Sequence, residues 1–241
     1  VRQKHRLTAA PHRFVVLGHY LPPDNPLLSE HGKTAWLDSA RGWLALCDRV
    51  LVTGVSAANT WSRLFPQHDV CVLPPAITFR RRAKIDPAGS LRLLSVGTVT
   101  PAKLPLELLN AMGRLRGKNF HWTIAGHLDG HADHVANCRA VLRREGLGSC
   151  VELVGELPAS DVESRLARAD IYLATSQFES FGMATAEALA VGLPVIAFNV
   201  GDVERWLPAD PACRLLEPGD FDSFVDCLDH WLSLGRASLP A

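Results

Sequence analysis

The sequence lacks an excess of charge of either sign. Its 25 Lys and Arg balance 25 Asp and Glu over 241 residues. No global field therefore draws the chain to nucleic acid or to an acidic membrane, and nucleic acid is not expected among its partners. It lacks an apolar run near the ~20 residues that a membrane-spanning helix needs, and it shows no signal-peptide pattern. Its six cysteines, Cys47, Cys71, Cys138, Cys150, Cys213 and Cys227, form no C-x-x-C pair. Apolar neighbours around Cys71, Cys150 and Cys227 predict reduced core thiols, and with them a cytoplasmic protein. There is no internal repeat and no low-complexity segment. The first residue is Val1 rather than Met, so the chain is expected to begin inside a longer protein.

What is present is a core-forming composition, 47% hydrophobic, with strand-like and helix-like segments in alternation. Strands are expected at Phe14 to Leu17, Arg49 to Thr53 and Val70 to Leu73. Helices are expected from about Pro26 to Leu46 and over Ala57 to Phe65. Pro74, Pro75, the Arg80 to Arg82 run, Pro87 and Gly89 then read as a linker. Strand-helix units resume at Leu91 and end in an amphipathic helix bearing Phe221, Phe224, Val225, Leu228, Trp231 and Leu232. Such alternation implies a parallel sheet with helices on both faces. The expected division is a partial domain over 1–74, a linker over 75–90 and a nearly complete nucleotide-binding domain over 91–241. Basic residues cluster at Arg2, Lys4 and Arg6 and again at Arg80, Arg81, Arg82 and Lys84. The plain reading is a solvated tail and linker. The other is a patch for anionic lipid or phosphate, with peripheral membrane contact at the inner face.

The most informative stretch runs from Gln177 to Ala197 (QFESFGMATAEALAVGLPVIA). An apolar strand, Ile171 to Ala174, precedes it, and Pro194 to Phe198 reads as the next strand. Ser180 is the expected N-cap of a helix from Met183 to Val191. Gly192-Leu193-Pro194 stops that helix. The free amides of Ser180 to Met183, at the positive end of the helix dipole, suit a phosphate, and Gly182 permits close backbone approach. Glu187, a turn inside the helix, can accept two hydroxyls of a ribose. Glu179 lies in the turn, free for a second polar group. Two acids in an otherwise apolar strand-helix-strand unit need partners, because unpaired buried charge is costly.

Glu179-x7-Glu187, with Ser-Phe-Gly after the first acid and Ala-Leu-Ala-x-Gly-Leu-Pro-Val after the second, resembles the donor-binding signature of retaining glycosyltransferases of family 4. The resemblance runs from about Leu91 to Trp231. It takes in Leu93 to Gly97 followed by Pro101-Ala102-Lys103, then Trp122 to Gly126, Val151 to Leu157 and Ala169 to Ser176. It implies an α/β fold of GT-B type, with two Rossmann-like domains. It also implies transfer of a sugar from a nucleotide-diphosphate sugar to an unknown glycan, lipid or small-molecule acceptor, without metal or other cofactor. By resemblance, Lys103 neutralises the diphosphate, and Ser180, Phe181, Gly182 and Met183 receive it. Glu187 holds the ribose and Glu179 the donor sugar. Gly97 and Gly126 border the cleft, and His19 reaches the sugar from the acceptor side. Asp24, Asn25, Glu30 and His31 are weaker candidates for acceptor contacts.

Several departures from the family pattern matter. Thr98 stands where many relatives carry an arginine, and Leu104 where many carry Gly. The acceptor domain's opening strands and Gly-rich loop are absent. An alternative is therefore a non-catalytic nucleotide-sugar-binding module or an inactive remnant. A sugar-nucleotide epimerase shares the fold, but the Glu179-x7-Glu187 signature argues against it. His127, Asp129, His131, Asp133 and His134 have the types for a metal, yet read better as a polar loop and helix start. Asp220-Phe221-Asp222 spells D-x-D but follows Pro218-Gly219, where acids favour a helix start.

Overall fold

The computed structural model describes residues 15–18, 29–77, 82–83 and 89–240. Contacts divide the chain into two compact units, Val1–Pro75 and Ala76–Ala241.

The first unit is a three-stranded parallel sheet of β1 (Val15–Gly18), β2 (Arg49–Val52) and β3 (Val70–Val72), in that order. Helices α1 (Glu30–Leu44) and α2 (Val55–Leu64) pack against it. Helix α1 starts at Glu30 rather than near Pro26, because Ser29 takes the N-cap and accepts from the Gly32 amide at 3.2 Å. The core is aromatic. Trp61 and Phe65 are buried with their rings 5.3 Å apart, and Trp36 meets Trp61 edge-on at 5.9 Å. Glu30 and His31 lie at the exposed start of α1. His19, Asp24 and Asn25 lie outside the described residues, as do Arg2, Lys4, Arg6, Arg80, Arg81 and Lys84.

The second unit holds β4 (Leu91–Val96), β5 (Phe120–Ala125), β6 (Val151–Gly155), β7 (Ile171–Ala174), β8 (Val195–Phe198) and β9 (Cys213–Leu216). They form one parallel sheet in the order β6-β5-β4-β7-β8-β9. Counted from β4, this is 3-2-1-4-5-6, the Rossmann order, whose direction reverses between β4 and β7. Period-two alternation supplies both faces. Leu91 and Leu93 enter a large core with α3 (Leu106–Ala111), α4 (Ala132–Arg144) and α8 (Phe221–Leu234). Leu94 and Val96 enter a second core with α5 (Ala159–Arg168), α6 (Met183–Val191) and α7 (Val203–Trp206).

The amino ends of β4 and β7 are fastened by charge. Asp170 is fully buried and accepts from the Arg92 amide at 2.8 Å and from Arg236 Nε and Nη2 at 2.8 and 2.7 Å. Arg82, ahead of the first strand of this unit, lies 3.9 Å from the same carboxylate, and the Ala83 amide donates to the Ala167 carbonyl at 2.8 Å.

Asp220 caps α8, accepting from the Ser223 amide at 3.0 Å, while Asp222 pairs with Arg114 at 3.1 Å. The D-x-D is a helix start. His134 is buried and donates from Nε2 to the Leu104 carbonyl at 2.9 Å, and burial pushes its pKa down. Among the described residues no group of three or more His, Cys, Asp or Glu is arranged to hold a metal. All six cysteines are free thiols. Cys138 and Cys213 are buried, and Cys150 and Cys227 are partly covered and pack against the large core, whereas Cys71 is partly covered outside any core cluster. Cys71 belongs to a three-residue strand at the edge of its sheet, where one layer cannot enclose it. No described helix is long and apolar enough to cross a membrane.

Candidate functional site

In an open parallel sheet, polar groups gather where the strand order reverses, because the two loops leaving the sheet there diverge and leave a crevice. The loops after β4 and β7 flank that point. The β4 loop turns at Thr100, whose carbonyl accepts from the Lys103 amide at 3.0 Å and the Leu104 amide at 2.9 Å. Two bonds lace it to the β7 loop. The Thr175 hydroxyl donates to the Lys103 carbonyl at 2.6 Å, and the Gln177 amide donates to the Ala102 carbonyl at 2.7 Å. This lacing brings Lys103 Nζ onto Glu179 Oε1 as an ion pair, although 76 residues separate them. Their side chains remain 32% and 21% exposed, so the pair opens onto the crevice. Gly97, Thr98, Ala174, Ser176, Ala184 and Thr185 complete its walls.

One expectation is corrected. Ser180 is not the N-cap of α6. Gly182 is, in the left-handed region at φ 87°, with no side-chain cap. A left-handed turn there lets the chain fold back tightly from the Glu179 loop, and only glycine adopts it without strain. A Cβ at Gly182 would also press on Val203 at 3.1 Å and Trp206 at 3.2 Å. The uncapped amides are therefore those of the first helical residues, Met183, Ala184 and Thr185, rather than a set beginning at Ser180. The first helical bond runs from the Ala186 amide to the Gly182 carbonyl at 3.0 Å.

Ser180 and Phe181 serve the turn. The Ser180 carbonyl accepts from the Asp202 amide at 3.3 Å. The Phe181 ring stacks on Trp206 at 5.5 Å, and its carbonyl accepts from Trp206 Nε1 at 3.0 Å. Gly201, at φ 62°, packs so closely that a Cβ would sit 2.4 Å from the Glu179 carbonyl oxygen. Trp206, Gly201 and Thr175 thus hold the Glu179 loop, and sequence reasoning missed Trp206. Its only signal is a short Val-Glu-Arg-Trp run, unremarkable until the backbone brings it against Phe181.

Gly97 and Gly126 meet each other. A Cβ on Gly126 would lie 1.9 Å from the Gly97 carbonyl oxygen. Gly126 is thereby explained by backbone approach, independently of any ligand. Leu104 is buried in the core under α3, so a side chain at this position serves packing.

Glu187 is half-buried on α6 and makes no hydrogen bond or ion pair with another described residue. Burial, with the nearby Glu163 charge second, raises its pKa above the ordinary carboxylate value. Tyr172 of β7 is buried, and its hydroxyl accepts from the Val96 amide of β4 at 3.3 Å. Burial raises its pKa, and the charges of Glu179 and Glu187 add to the shift. The phenol therefore stays neutral, a fixed dipole beneath the two acids.

A six-stranded sheet in Rossmann order, with the Lys103–Glu179 pair and the start of α6 at its switch point, has the architecture of the nucleotide-binding α/β units. Residues 77–239 match the model of the glycosyl transferases group 1 family, and the chain belongs to that family. It is similar to the D-inositol 3-phosphate glycosyltransferase of Arthrobacter sp. (strain FB24), at 32% identity over 145 residues, covering 58% of this chain and 34% of that protein. It is also similar to the amylovoran biosynthesis glycosyltransferase AmsK of Erwinia amylovora, at 29% identity, covering 61% of this chain and 37% of that protein. The chain thus spans little more than a third of the length of these relatives. Among solved structures, HepE of Anabaena in complex with UDP and glucose superposes with a TM-score of 0.77 at 17% identity, covering 94% of this chain and 64% of that one. The sucrose-phosphate synthase of Thermosynechococcus elongatus gives 0.75 at 19%, covering 93% and 60%. The fold is of GT-B type, with a nearly complete C-terminal Rossmann-like unit and a partial N-terminal one.

Proposed function

We propose that the chain is the donor-binding part of a retaining, metal-independent hexosyltransferase of family 4, which takes a sugar from a nucleotide-diphosphate sugar. The observation that carries this reading is the Lys103–Glu179 pair at the switch point, facing the open amides of α6. A diphosphate entering the crevice takes Lys103 and the Met183 to Thr185 amides, which releases Glu179 to hold hydroxyls of the donor sugar. Glu187 accepts the two ribose hydroxyls, which satisfies an acid otherwise without a partner. Transfer then follows the usual proposal for such enzymes. The acceptor hydroxyl attacks the anomeric carbon from the face on which the diphosphate departs. The carbon–oxygen bond to phosphate breaks, and the departing phosphate oxygen takes the acceptor proton. Preorganised charge from Lys103, Glu179 and the helix terminus supplies the stabilisation. His19 is proposed to contact the sugar from the acceptor side. The free thiols support a cytoplasmic setting, and we place the reaction there, at the inner face of the membrane if the acceptor is a lipid.

The test is calorimetric titration with UDP, GDP and UDP-glucose. Glu187→Ala is expected to cost about 1.5–3 kcal/mol of nucleotide affinity while the fold persists. Unchanged affinity for every nucleotide would sink the assignment. EDTA is expected to change neither binding nor transfer, and a stoichiometric metal required for activity would contradict the metal-independent reading. The first unit's three-stranded sheet favours a second reading, a module that binds the donor without transferring it. The chain as given is expected to bind nucleotide but to transfer slowly or not at all. Robust transfer by these 241 residues, lost in Glu179→Ala, excludes that second reading.

A further inference from the structure

A second hollow of the second unit lies away from the switch point. A cavity of about 420 Å³ lies over the amino-terminal halves of β4, β5 and β6, beside α5. The alternation of β5 explains it. Phe120, Trp122 and Ile124 face the large core, which leaves His121 and Thr123 on the opposite face. Glu152 of β6 joins them there, and Arg165 and Arg168 of α5 form the far wall. From these residues we propose a binding site for a sugar phosphate at the amino ends of the strands, separate from the crevice at their carboxyl ends.

The charges favour an anion. Three arginines, Arg92, Arg165 and Arg168, line the cavity against two carboxylates, Glu152 and Asp161, an excess of one positive charge. The internal acids do not saturate the arginines. Asp170 is committed to Arg236 and to the Arg92 amide. Arg92 Nε stands 3.5 Å from it, and the Nε and Nη2 atoms of Arg92 are buried without a hydrogen-bond partner among the described residues. Arg168 is exposed and makes no ion pair among the described residues. A guanidinium presents a planar fork of donors matched to phosphate.

Size and lining favour an ester over phosphate alone. The cavity is within the range of small-molecule pockets and far exceeds a single phosphate. Leu93, Leu94 and Ala169 contribute apolar wall. The remaining polar groups suit hydroxyls. His121 Nε2 lies 3.1 Å from Glu152 Oε1, and the Thr123 hydroxyl reaches the same oxygen at 3.1 Å. Burial alone would push the Glu152 carboxyl up, but hydrogen bonds from His121 and Thr123 and the Arg165 charge hold it below its ordinary value. It is thus an ionised acceptor at neutral pH.

Glucose 6-phosphate, inorganic phosphate and glucose are the probes, titrated separately into the whole chain by calorimetry. Saturable binding of glucose 6-phosphate is expected, with inorganic phosphate about tenfold weaker and glucose undetectable. Arg168→Glu, at an exposed residue without partners, is expected to weaken glucose 6-phosphate at least about tenfold and to leave UDP affinity unchanged. Lys103→Ala is expected to leave glucose 6-phosphate affinity unchanged. The proposal is overturned by absence of saturable binding below about 10 mM, by indifference to Arg168→Glu, or by loss in Lys103→Ala, which would place the phosphate at the switch point. Equal affinity for inorganic phosphate would overturn the sugar-phosphate assignment. The glucose 6-phosphate outcomes do not depend on whether the crevice binds a nucleotide sugar.

Discussion

The two ends of the second unit's central strands carry the same chemistry in opposite states. At the amino ends, Asp170 is sealed from water and shared among Arg82, Arg92 and Arg236. At the carboxyl ends, Lys103 and Glu179 pair at the lip of a crevice, each partly exposed. A carboxylate that has lost its water must keep its partners, because removing one leaves a charge buried and uncompensated. A carboxylate still touching water exchanges partners at small cost. The difference teaches that burial, more than pairing, separates a fastening from a site.

The largest effect should come from breaking the sealed end. Asp170→Ala leaves three arginines without their common acceptor and is expected to destabilise the second unit by about 3–5 kcal/mol, read from chemical denaturation. A loss under about 1 kcal/mol would mean that water already reaches the cluster. Next is Gly201→Val, which places a Cβ against the Glu179 carbonyl and forces a branched residue to positive φ. It should cost about 1–3 kcal/mol of stability and weaken UDP-glucose more than UDP, because it displaces the Glu179 loop rather than Glu187.

The open end should respond more mildly. A double-mutant cycle of Lys103→Ala with Glu179→Gln, followed by thermal denaturation without ligand, is expected to give a coupling of about 1 kcal/mol or less. A coupling as large as the Asp170 effect would erase the distinction between the two ends.

The smallest effect concerns Glu187. Its pKa is raised in the folded chain, so the folded form binds the proton more tightly than the unfolded one. Its ionised state therefore weakens the fold above the unfolded pKa, and that penalty is relieved as pH falls through the raised value. Glu187→Gln is expected to raise the melting temperature at pH 7 by about 1–2 °C, a few tenths of a kcal/mol, and the gain should fade as pH drops below the ordinary carboxylate range. A melting temperature lowered at pH 7 would show that Glu187 has a stabilising partner.

Much of this was legible in the chain. The strands on either side of α6 follow from apolar runs and the bounds of α6 from its closing Gly-Leu-Pro, whereas β9 at the far edge of the sheet carries no such signal. The Glu179-x7-Glu187 spacing marks the site because acids are out of place in such a run. The cap was not legible. Ser180 has the right side chain for it, but the chain takes its left-handed turn at Gly182, where Val203 and Trp206 of α7 leave no room for a Cβ. The pairing of Cys71 with core was likewise overstated, since local apolarity cannot say that its strand lies at an edge.

The sequence by itself determined the elements, their alternation and the residue types at the switch point, because these depend on periodicity and on neighbours a few positions apart. Only the tertiary structure decided that Lys103 meets Glu179, that Asp170 is shared among three arginines, and that Arg92, Arg165 and Arg168 border one cavity. The pairings of Lys103 and of Asp170 join residues 66 to 88 positions apart, and they arise from strand order, which no local pattern encodes.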